Sequence, residues 1–534
     1  MKDDVDLHCV NYSGKPNESV SRYRISSLGS LKRNELIEKW VRVNSDPRKI
    51  NQEYVESQVK ILFDQLDNLL GEQFVTPYPV FVLSMLQSLS CTLESFQIEQ
   101  TYYAYCYNSL ILYSIQSTGV DPDTQKEFLN FLTEFAYHLF NNKIYYFKKT
   151  QAESFLNDYK ENNIYKSTLD KTLSKLCKAN ILREYESGVY CFSYKYIYYY
   201  LIAQKISRFI HEKKGKDLVY DLCSEIYNEE SANILIFLAY HTRDNDLIET
   251  LLLTNMTTFD RYEPLTLNDD DGFMKKVTSL INNVKRNILL TDVDPNKERR
   301  DSLSQQDRHR RARPRKSLDE ERKELEEIKS DANLRDVVQT FRSIRILGQI
   351  IKNQKHDIGK ANISKILKES YLSCFRMINF YCHYLEKEED NIIRAVLENN
   401  KENPRLTSEM VRDRVEKVLS SLLYRICLGA FSTLSLSVGT QNMDEEFDQV
   451  ASEIGTPAAK LVSFTIKSFY GPLKLSELSE LVKEFEGNHL ATHILKSRVL
   501  KYVYNNTITY QQKQQIGEIC NLRLMNSALL GHSK

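Results

Sequence analysis

Glycine and proline are scarce in this 534-residue sequence, with 16 and 11 residues, and tryptophan occurs once. Few turn-forming residues, combined with abundant leucine, isoleucine, lysine and glutamate, disfavour a many-stranded β fold and favour long helices. We therefore expect a mainly α protein. Hydrophobic cores rarely grow beyond roughly 300 residues, so the length indicates about three or four domains.

An excess of charge of either sign is also absent, because Lys+Arg and Asp+Glu both total 72. Attraction to nucleic acid or to an anionic membrane must then come from a local patch. The ten cysteines include no Cys-x-x-Cys pair, which argues against a disulfide framework. The opening MKDDVDLHCV lacks the apolar core of a secretory signal, and no apolar run approaches the roughly 20 residues of a membrane span. These features predict a cytoplasmic location.

Motifs of catalysis are missing as well. The segment SGKPNES at 13–19 lacks the upstream glycine of a phosphate loop and has proline after lysine, so it predicts a turn. His489 and His493 lie one helical turn apart in HLATH, but no third ligand is evident, and we interpret them as part of a solvated helix face. We predict no catalytic residues and no metal site, and an enzymatic function is the weakest hypothesis.

Helical periodicity dominates what is present. Segments 31–43, 52–71 and 100–117 carry apolar residues at helical spacing, and they predict a helical domain over 31–120, preceded by a linker or domain remnant over 1–30. Helical patterns of uneven spacing recur after residue 206. They predict an irregular α-solenoid or superhelical array over 207–293 and 331–534.

Residues 121–206 have a different pattern. Three amphipathic segments are followed by ILREY and VYCFSY, two short strands around a glycine-containing turn. Three helices followed by a hairpin is the order of a small winged-helix domain. Such domains can bind DNA through their third helix, which here carries Lys171, Lys175 and Lys178 but no arginine. A DNA-binding regulator with a helical ligand-sensing domain therefore stays open as an alternative function.

The stretch CFSYKYIYYYLIAQKI at 191–206 crowds six aromatic rings into nine positions. A buried strand, a base-stacking platform and a hydrophobic helix seam are all compatible with this composition. From Lys195 onward, Tyr196, Tyr199 and Tyr200 fall on one helical face. Stacking platforms need more basic neighbours than this stretch has. We predict the end of a strand and then a helix, whose three tyrosines fill an interdomain gap at a hinge.

The stretch 294–330 is almost free of apolar residues, and it predicts an exposed linker leading into a charged helix. Within it, RHRRARPRK concentrates six basic residues in nine positions: Arg308, Arg310, Arg311, Arg313, Arg315 and Lys316. The cluster is a candidate interaction site because it could neutralise phosphates. The acidic DEERKELEE follows at once, however, and mixed-sign runs are usually solvated.

The order ISSLGSLKRNELIEKW, TPYPVFVLSMLQSL, TYYAYCYNSLI and then FSYKYIYYYLIAQKI resembles STAND-class signalling NTPases with a NACHT-like module, especially bacterial proteins of antiphage defence. In that family a nucleotide-binding α/β domain precedes a helical domain, a winged helix and a helical sensor region. The resemblance implies that Pro77 and Pro79 of TPYPVFVL would contact the adenine base, provided that a nucleotide domain is supplied.

The departures from that family shape the functional hypothesis. The phosphate loop and the magnesium-holding strand are missing, and Tyr194 and Lys195 replace the family's histidine near the end of the winged helix. We therefore expect no cofactor in this chain, with ATP or ADP bound only if a nucleotide-binding domain complements it. The predicted function is a non-catalytic regulatory and sensor portion. Its expected partners are a protein or phage-derived ligand, a separate NTPase chain or a second copy, rather than nucleic acid or a membrane. A plain helical scaffold is a further alternative.

Overall fold

The computed structural model describes residues 28–46, 48, 50–70, 79, 82–83, 85–87, 102–268, 288–312, 318–399 and 407–526. The described residues are mainly helical, with a few short strands, which confirms the predicted fold class at that level. The chain divides into two compact units, Met1–Cys91 and Thr92–Lys534. Each unit is described by itself.

The first unit contains a helical pair. Helices α1 (Ser30–Asn44) and α2 (Gln52–Leu70) pack against each other, close to the predicted bounds 31–43 and 52–71. Their apolar stripes form the core, which includes Ile37, Val41, Val55, Val59, Leu62 and Leu66. The Arg33 guanidinium lies 5.7 Å from the centre of the Phe63 ring, so its charge rests on an aromatic face rather than in solvent.

The second unit begins with a mixed α/β segment. In chain order it contains α3 (Tyr102–Gln116), α4 (Pro122–Asn141), β1 (Phe147–Lys148), α5 (Lys149–Asn162), α6 (Leu169–Lys178), β2 (Leu182–Glu186) and β3 (Val189–Phe192). The predicted hairpin is present, with β2 antiparallel to β3 and Gly188 at φ +75° in its turn. Strand β1 adds to the other edge of β3, giving the sheet order β1-β3-β2.

Local chemistry explains the start and the core of this segment. The Asp121 carboxylate accepts hydrogen bonds from the amides of Asp123 and Thr124, and Pro122 stands at the first helical position of α4. Phe135 on α4 meets Phe147 on β1 edge to face, with 4.9 Å between ring centres. The sheet is thereby fixed onto the first helix.

Helices make up most of the remaining described chain. They are α7 (Lys195–Ser207), α8 (Lys213–Ser224), α9 (Glu229–His241), α10 (Asn245–Met256), α11 (Pro295–Ala312), α12 (Leu318–Ser330), α13 (Ala332–Gln354), α14 (Lys360–Asn399), α15 (Ser408–Val438), α16 (Asp444–Ile454), α17 (Pro457–Tyr470), α18 (Leu475–Glu484), α19 (His489–Asn505) and α20 (Tyr510–Ile519). A helix predicted over 273–290 differs at its end, because β4 (Ile288–Leu290) pairs in parallel with β5 (Arg523–Met525).

The linker predicted from residue 294 is helical over residues 295–312, and the charged helix predicted to follow it is present. Residues 295–312 form α11 and residues 318–330 form α12. Leu303 and Asp307 on α11 are buried, and α11 packs against α19. Arginine, glutamine, lysine and glutamate are good helix formers, so one buried leucine face is enough to fix a helix that has little apolar content.

Helices α13, α14 and α15 pack together at the centre of the array. Gly348 on α13 permits a close approach to α15, because a Cβ there would lie 2.1 Å from the Ser437 carbonyl oxygen. Among the described residues, α15 is long and apolar enough to cross a membrane, with a mean hydropathy of 1.4 over its best window. Of that window 44% is buried by protein, as in the core helices of many proteins that pass the same test.

Candidate functional site

The aromatic helix α7 is the most enclosed element next to the sheet. Every residue from Tyr196 to Ala203 is buried, so the helix is covered on all sides rather than along the single predicted stripe. Polar contacts tie its last two turns to α4, where Thr133 Oγ1 donates to Gln204 Oε1 at 2.9 Å and Lys205 Nζ meets Glu134 Oε1 at 2.7 Å. The helix is therefore a fixed core element of this region.

The three tyrosines predicted to fill an interdomain gap are all buried in α7. The ring of Tyr107 on α3 lies 5.9 Å from the Tyr196 ring and 6.2 Å from the Tyr200 ring. On its other side Tyr200 meets Phe237 of α9, at 5.7 Å and nearly perpendicular. Burial raises the pKa of Tyr196, Tyr199 and Tyr200, so their hydroxyls stay protonated.

Glu230, in the first turn of α9, is a half-buried acid that sequence reasoning missed. Burial raises the pKa of its carboxyl to about 7, although the hydrogen bond from Tyr145 and the charge of Lys195 oppose the shift. The Tyr145 hydroxyl lies 3.5 Å from Glu230 Oε1. An acidic residue in the first turn of a helix is ordinary, so the sequence carried no signal that this one would be enclosed.

His241 is the last residue of the same helix. Its ring lies 4.7 Å from the Tyr200 ring, and its Nε2 is buried and has no hydrogen-bond partner among the described residues. Burial lowers the pKa of this imidazole to about 4, so it is neutral at neutral pH. The aromatic contact between α7 and α9 therefore depends on an uncharged ring.

Helix α9 also contacts α13 of the helical array. The Tyr240 hydroxyl donates to Gln349 Oε1 on α13 at 3.2 Å. Gln354 Nε2 donates to the carbonyl oxygens of Ala239 and Thr242, at 2.5 Å and 2.8 Å, and so satisfies carbonyls at the end of α9. A continuous packed path thus joins α4, α7, α9 and α13. We call α7 together with α9 the aromatic joint.

The other predicted site residues lie largely outside the described residues. Pro77 lies outside the described residues, and Pro79 is helical and exposed. Arg308 is exposed on α11, while Arg310 and Arg311 belong to α11 with side chains outside the description. Arg313, Arg315 and Lys316 also lie outside the described residues. The adenine contact and the arginine cluster stay predictions.

The lysines of α6 are only partly available to a ligand. Lys171 and Lys178 are exposed, but Lys175 Nζ donates to the Thr118 carbonyl oxygen at 2.6 Å. Asp170 on the same helix pairs with Lys149 at 2.5 Å. Within the described chain, no group of three or more histidine, cysteine, aspartate or glutamate residues is arranged to hold a metal ion.

Comparison with known proteins singles out the region that contains the sheet and the start of the joint. Residues 145–202 match the family described as Novel STAND NTPase 4. The match runs from just before β1 through β3 and into α7. No curated protein matches the chain, and no solved structure does. Residues 145–202 therefore relate this chain to the STAND NTPases.

Proposed function

We propose that this chain is a non-catalytic regulatory and sensor portion of a STAND-type signalling NTPase in bacterial antiviral defence. The observation that carries the proposal is the family match over residues 145–202, the region that connects the small sheet to α7. The preceding helix, the strand order β1-β3-β2 and the two intervening helices are compatible with the proposed winged helix. That correspondence supports the same assignment.

In this role the aromatic joint acts as a hinge between the winged helix and the helical array. Signalling proteins of this kind switch when a ligand binds one of two packed arrangements more tightly than the other. Tyr200 is suited to report such a change because its ring touches both α3 and α9. A partner bound to the array would bias the joint through the contacts between α9 and α13.

Nucleotide binding and hydrolysis would be carried out by a separate domain. The 534 residues contain no GxxxxGK[ST] sequence, so a nucleotide-binding domain, in another part of the protein or in another chain, would have to hold the phosphates. With that domain supplied, Pro77 and Pro79 are proposed to line the adenine face. The array is proposed to bind a protein or phage-derived ligand.

The test uses the tagged full chain expressed in cells challenged with phage. We expect that a phage protein or a phosphate-loop NTPase co-purifies with it and that the chain protects the cells. Tyr200→Leu should weaken protection at least about tenfold while the partner is still captured, since removing a ring from a packed aromatic contact loosens the joint. The matched control is Tyr113→Leu, at a tyrosine on α3 that is 63% exposed.

Two results would contradict this function. One is the absence of both partner classes from the purified material, together with unchanged plating efficiency of phage. The other is tight, strongly salt-dependent binding of duplex DNA by the purified chain, which would support the winged-helix DNA-binding regulator instead.

A further inference from the structure

Helices α15 and α19 concentrate positive charge where they face each other. Helix α19 carries Lys496, Arg498 and Lys501 and contains no acidic residue. Helix α15 likewise has no acidic residue after Glu416, but it carries Lys417 and Arg425. Lys417 is paired with Asp413 of the same helix at 2.7 Å, which leaves Arg425 as the basic residue of this part of α15.

Arg498 is the buried centre of that excess. Its side chain is 6% exposed, and its Nη2 donates to the Leu428 carbonyl oxygen on α15 at 2.6 Å. Its Nε is buried and has no acceptor, and no carboxylate of the described residues pairs with the guanidinium. Burial lowers the pKa of Arg498 to about 10, which still leaves it charged at neutral pH. Arginine is almost never fully buried unless it is paired.

The neighbours of Arg498 offer further donors and a second cation. The hydroxyls of Tyr424 and Ser497 lie 2.6 Å apart across the two helices. The Lys501 ammonium lies 5.9 Å from the centre of the Phe469 ring. Partial desolvation and the charge of Arg498 lower the pKa of Lys501. We call Tyr424, Ser497, Arg498 and Lys501 the basic seam.

Part of the seam is open to solvent. Gly429 follows the residue whose carbonyl Arg498 binds, and a Cβ built at Gly429 would meet no atom within 4 Å. Arg425 and Lys501 are exposed, and Ser497 is partly exposed. A small ligand can therefore approach the seam from solvent while Arg498 stays covered beneath it.

We infer that the basic seam binds an oxyanion, the phosphate or carboxylate group of a small ligand. The anion would lie against the exposed Lys501 ammonium and accept a hydrogen bond from the partly exposed Ser497 hydroxyl, with Tyr424 donating to Ser497. Its negative charge would balance that of the covered Arg498 guanidinium beneath it. The inference names the ligand chemistry for the sensor role, and its biological meaning rests on that proposed function.

The test titrates the purified full chain with inorganic phosphate, pyrophosphate and succinate at constant ionic strength, with binding followed by calorimetry and by thermal shift. The wild-type chain should bind at least one of these anions saturably. Arg498→Met should raise that Kd about tenfold, because the anion loses a nearby positive charge. The matched control is Arg414→Met, at an exposed arginine on α15, which should leave the Kd unchanged.

The inference is overturned if the wild-type protein binds none of the three anions. It is also overturned if Arg498→Met binds the anion with the wild-type Kd. If that variant does not fold, Lys501→Met provides the test instead. We expect it to bind the anion with a several-fold higher Kd, and an unchanged Kd would contradict the inference. Binding of pyrophosphate alone assigns a phosphate ligand, and binding of succinate alone assigns a carboxylate ligand. If no anion binds but a phage protein is captured, the inferred anion site is wrong and the proposed sensor role is still supported. If an anion binds but no partner is captured, the anion site is supported and the proposed sensor role is contradicted.

Discussion

His241 and Glu230, at opposite ends of α9, have pKa shifts that affect stability in opposite directions. The imidazole pKa is about 4 in the folded chain and about 6.5 when it is unperturbed. Its contribution to stability is therefore complete above pH 6.5 and is lost as the pH falls toward 4. The Glu230 carboxyl has a folded pKa of about 7 and a usual value of 4.5, so its contribution is complete below pH 4.5 and is lost as the pH rises toward 7.

Replacing His241 with leucine should make the protein less sensitive to acid. The wild-type chain must expel a proton from this site in order to fold below pH 6.5, at a cost on the order of 3 kcal/mol by pH 4 for the pKa shift to about 4. Urea unfolding between pH 7.5 and 4.5 should show a smaller loss of unfolding free energy in His241→Leu than in wild type. The Glu230 contribution is common to both proteins, and it cancels in the difference.

The matched control is His309→Leu, at an exposed histidine on α11. It should follow the wild-type pH profile, because its side chain lies at the protein surface. Parallel profiles for His241→Leu and wild type would contradict the buried neutral state of His241.

Individual helices were the most predictable elements of the fold. Apolar spacing predicted 331–353 and 407–438, and the structure has helices at Ala332–Gln354 and Ser408–Val438. Periodicity could not predict the full burial of α7, since all residues from Tyr196 to Ala203 are apolar or aromatic and no face of this run is marked for solvent. It also failed for α11, where helix propensity rather than an apolar stripe determines the element.

Gly348→Ala should destabilise the protein although alanine favours helices. The added methyl would fall 2.1 Å from the Ser437 carbonyl oxygen and 2.6 Å from the Ser437 carbonyl carbon, so α13 and α15 would have to separate. Overpacking of this kind costs about 1–3 kcal/mol, more than the gain of about 1 kcal/mol in helix propensity. Chemical denaturation monitored by circular dichroism measures the net change.

Gly429→Ala is the paired substitution on α15. It meets open space, so only the helix propensity changes, and it should stabilise the protein by up to about 1 kcal/mol. Equal effects of the two substitutions would contradict the close approach at Gly348.

At the scale of the whole chain, long-range pairing is the part that sequence patterns could not supply. The hairpin β2-β3 was predictable because its strands flank a single turn. The pairing of β4 with β5 joins segments far apart in sequence, and neither three-residue strand has a distinctive pattern. The basic seam was missed for the same reason, because Arg498 and Leu428 meet only in the folded array.

Pairing of β4 with β5 should stabilise the end of the array, although the two strands are far apart in sequence. Leu289 in β4 is fully buried, the Thr291 amide donates to the Met525 carbonyl oxygen at 2.9 Å, and Lys513 Nζ on α20 donates to the Thr291 carbonyl oxygen at 2.9 Å. Leu289→Ala should cost about 2–5 kcal/mol and should speed hydrogen exchange in α20 while leaving α7 protected. Leu253→Ala, at a leucine that is 64% exposed, should change stability by less than about 0.5 kcal/mol. Unchanged protection of α20 in Leu289→Ala would show that the middle and the end of the chain are not coupled through this sheet.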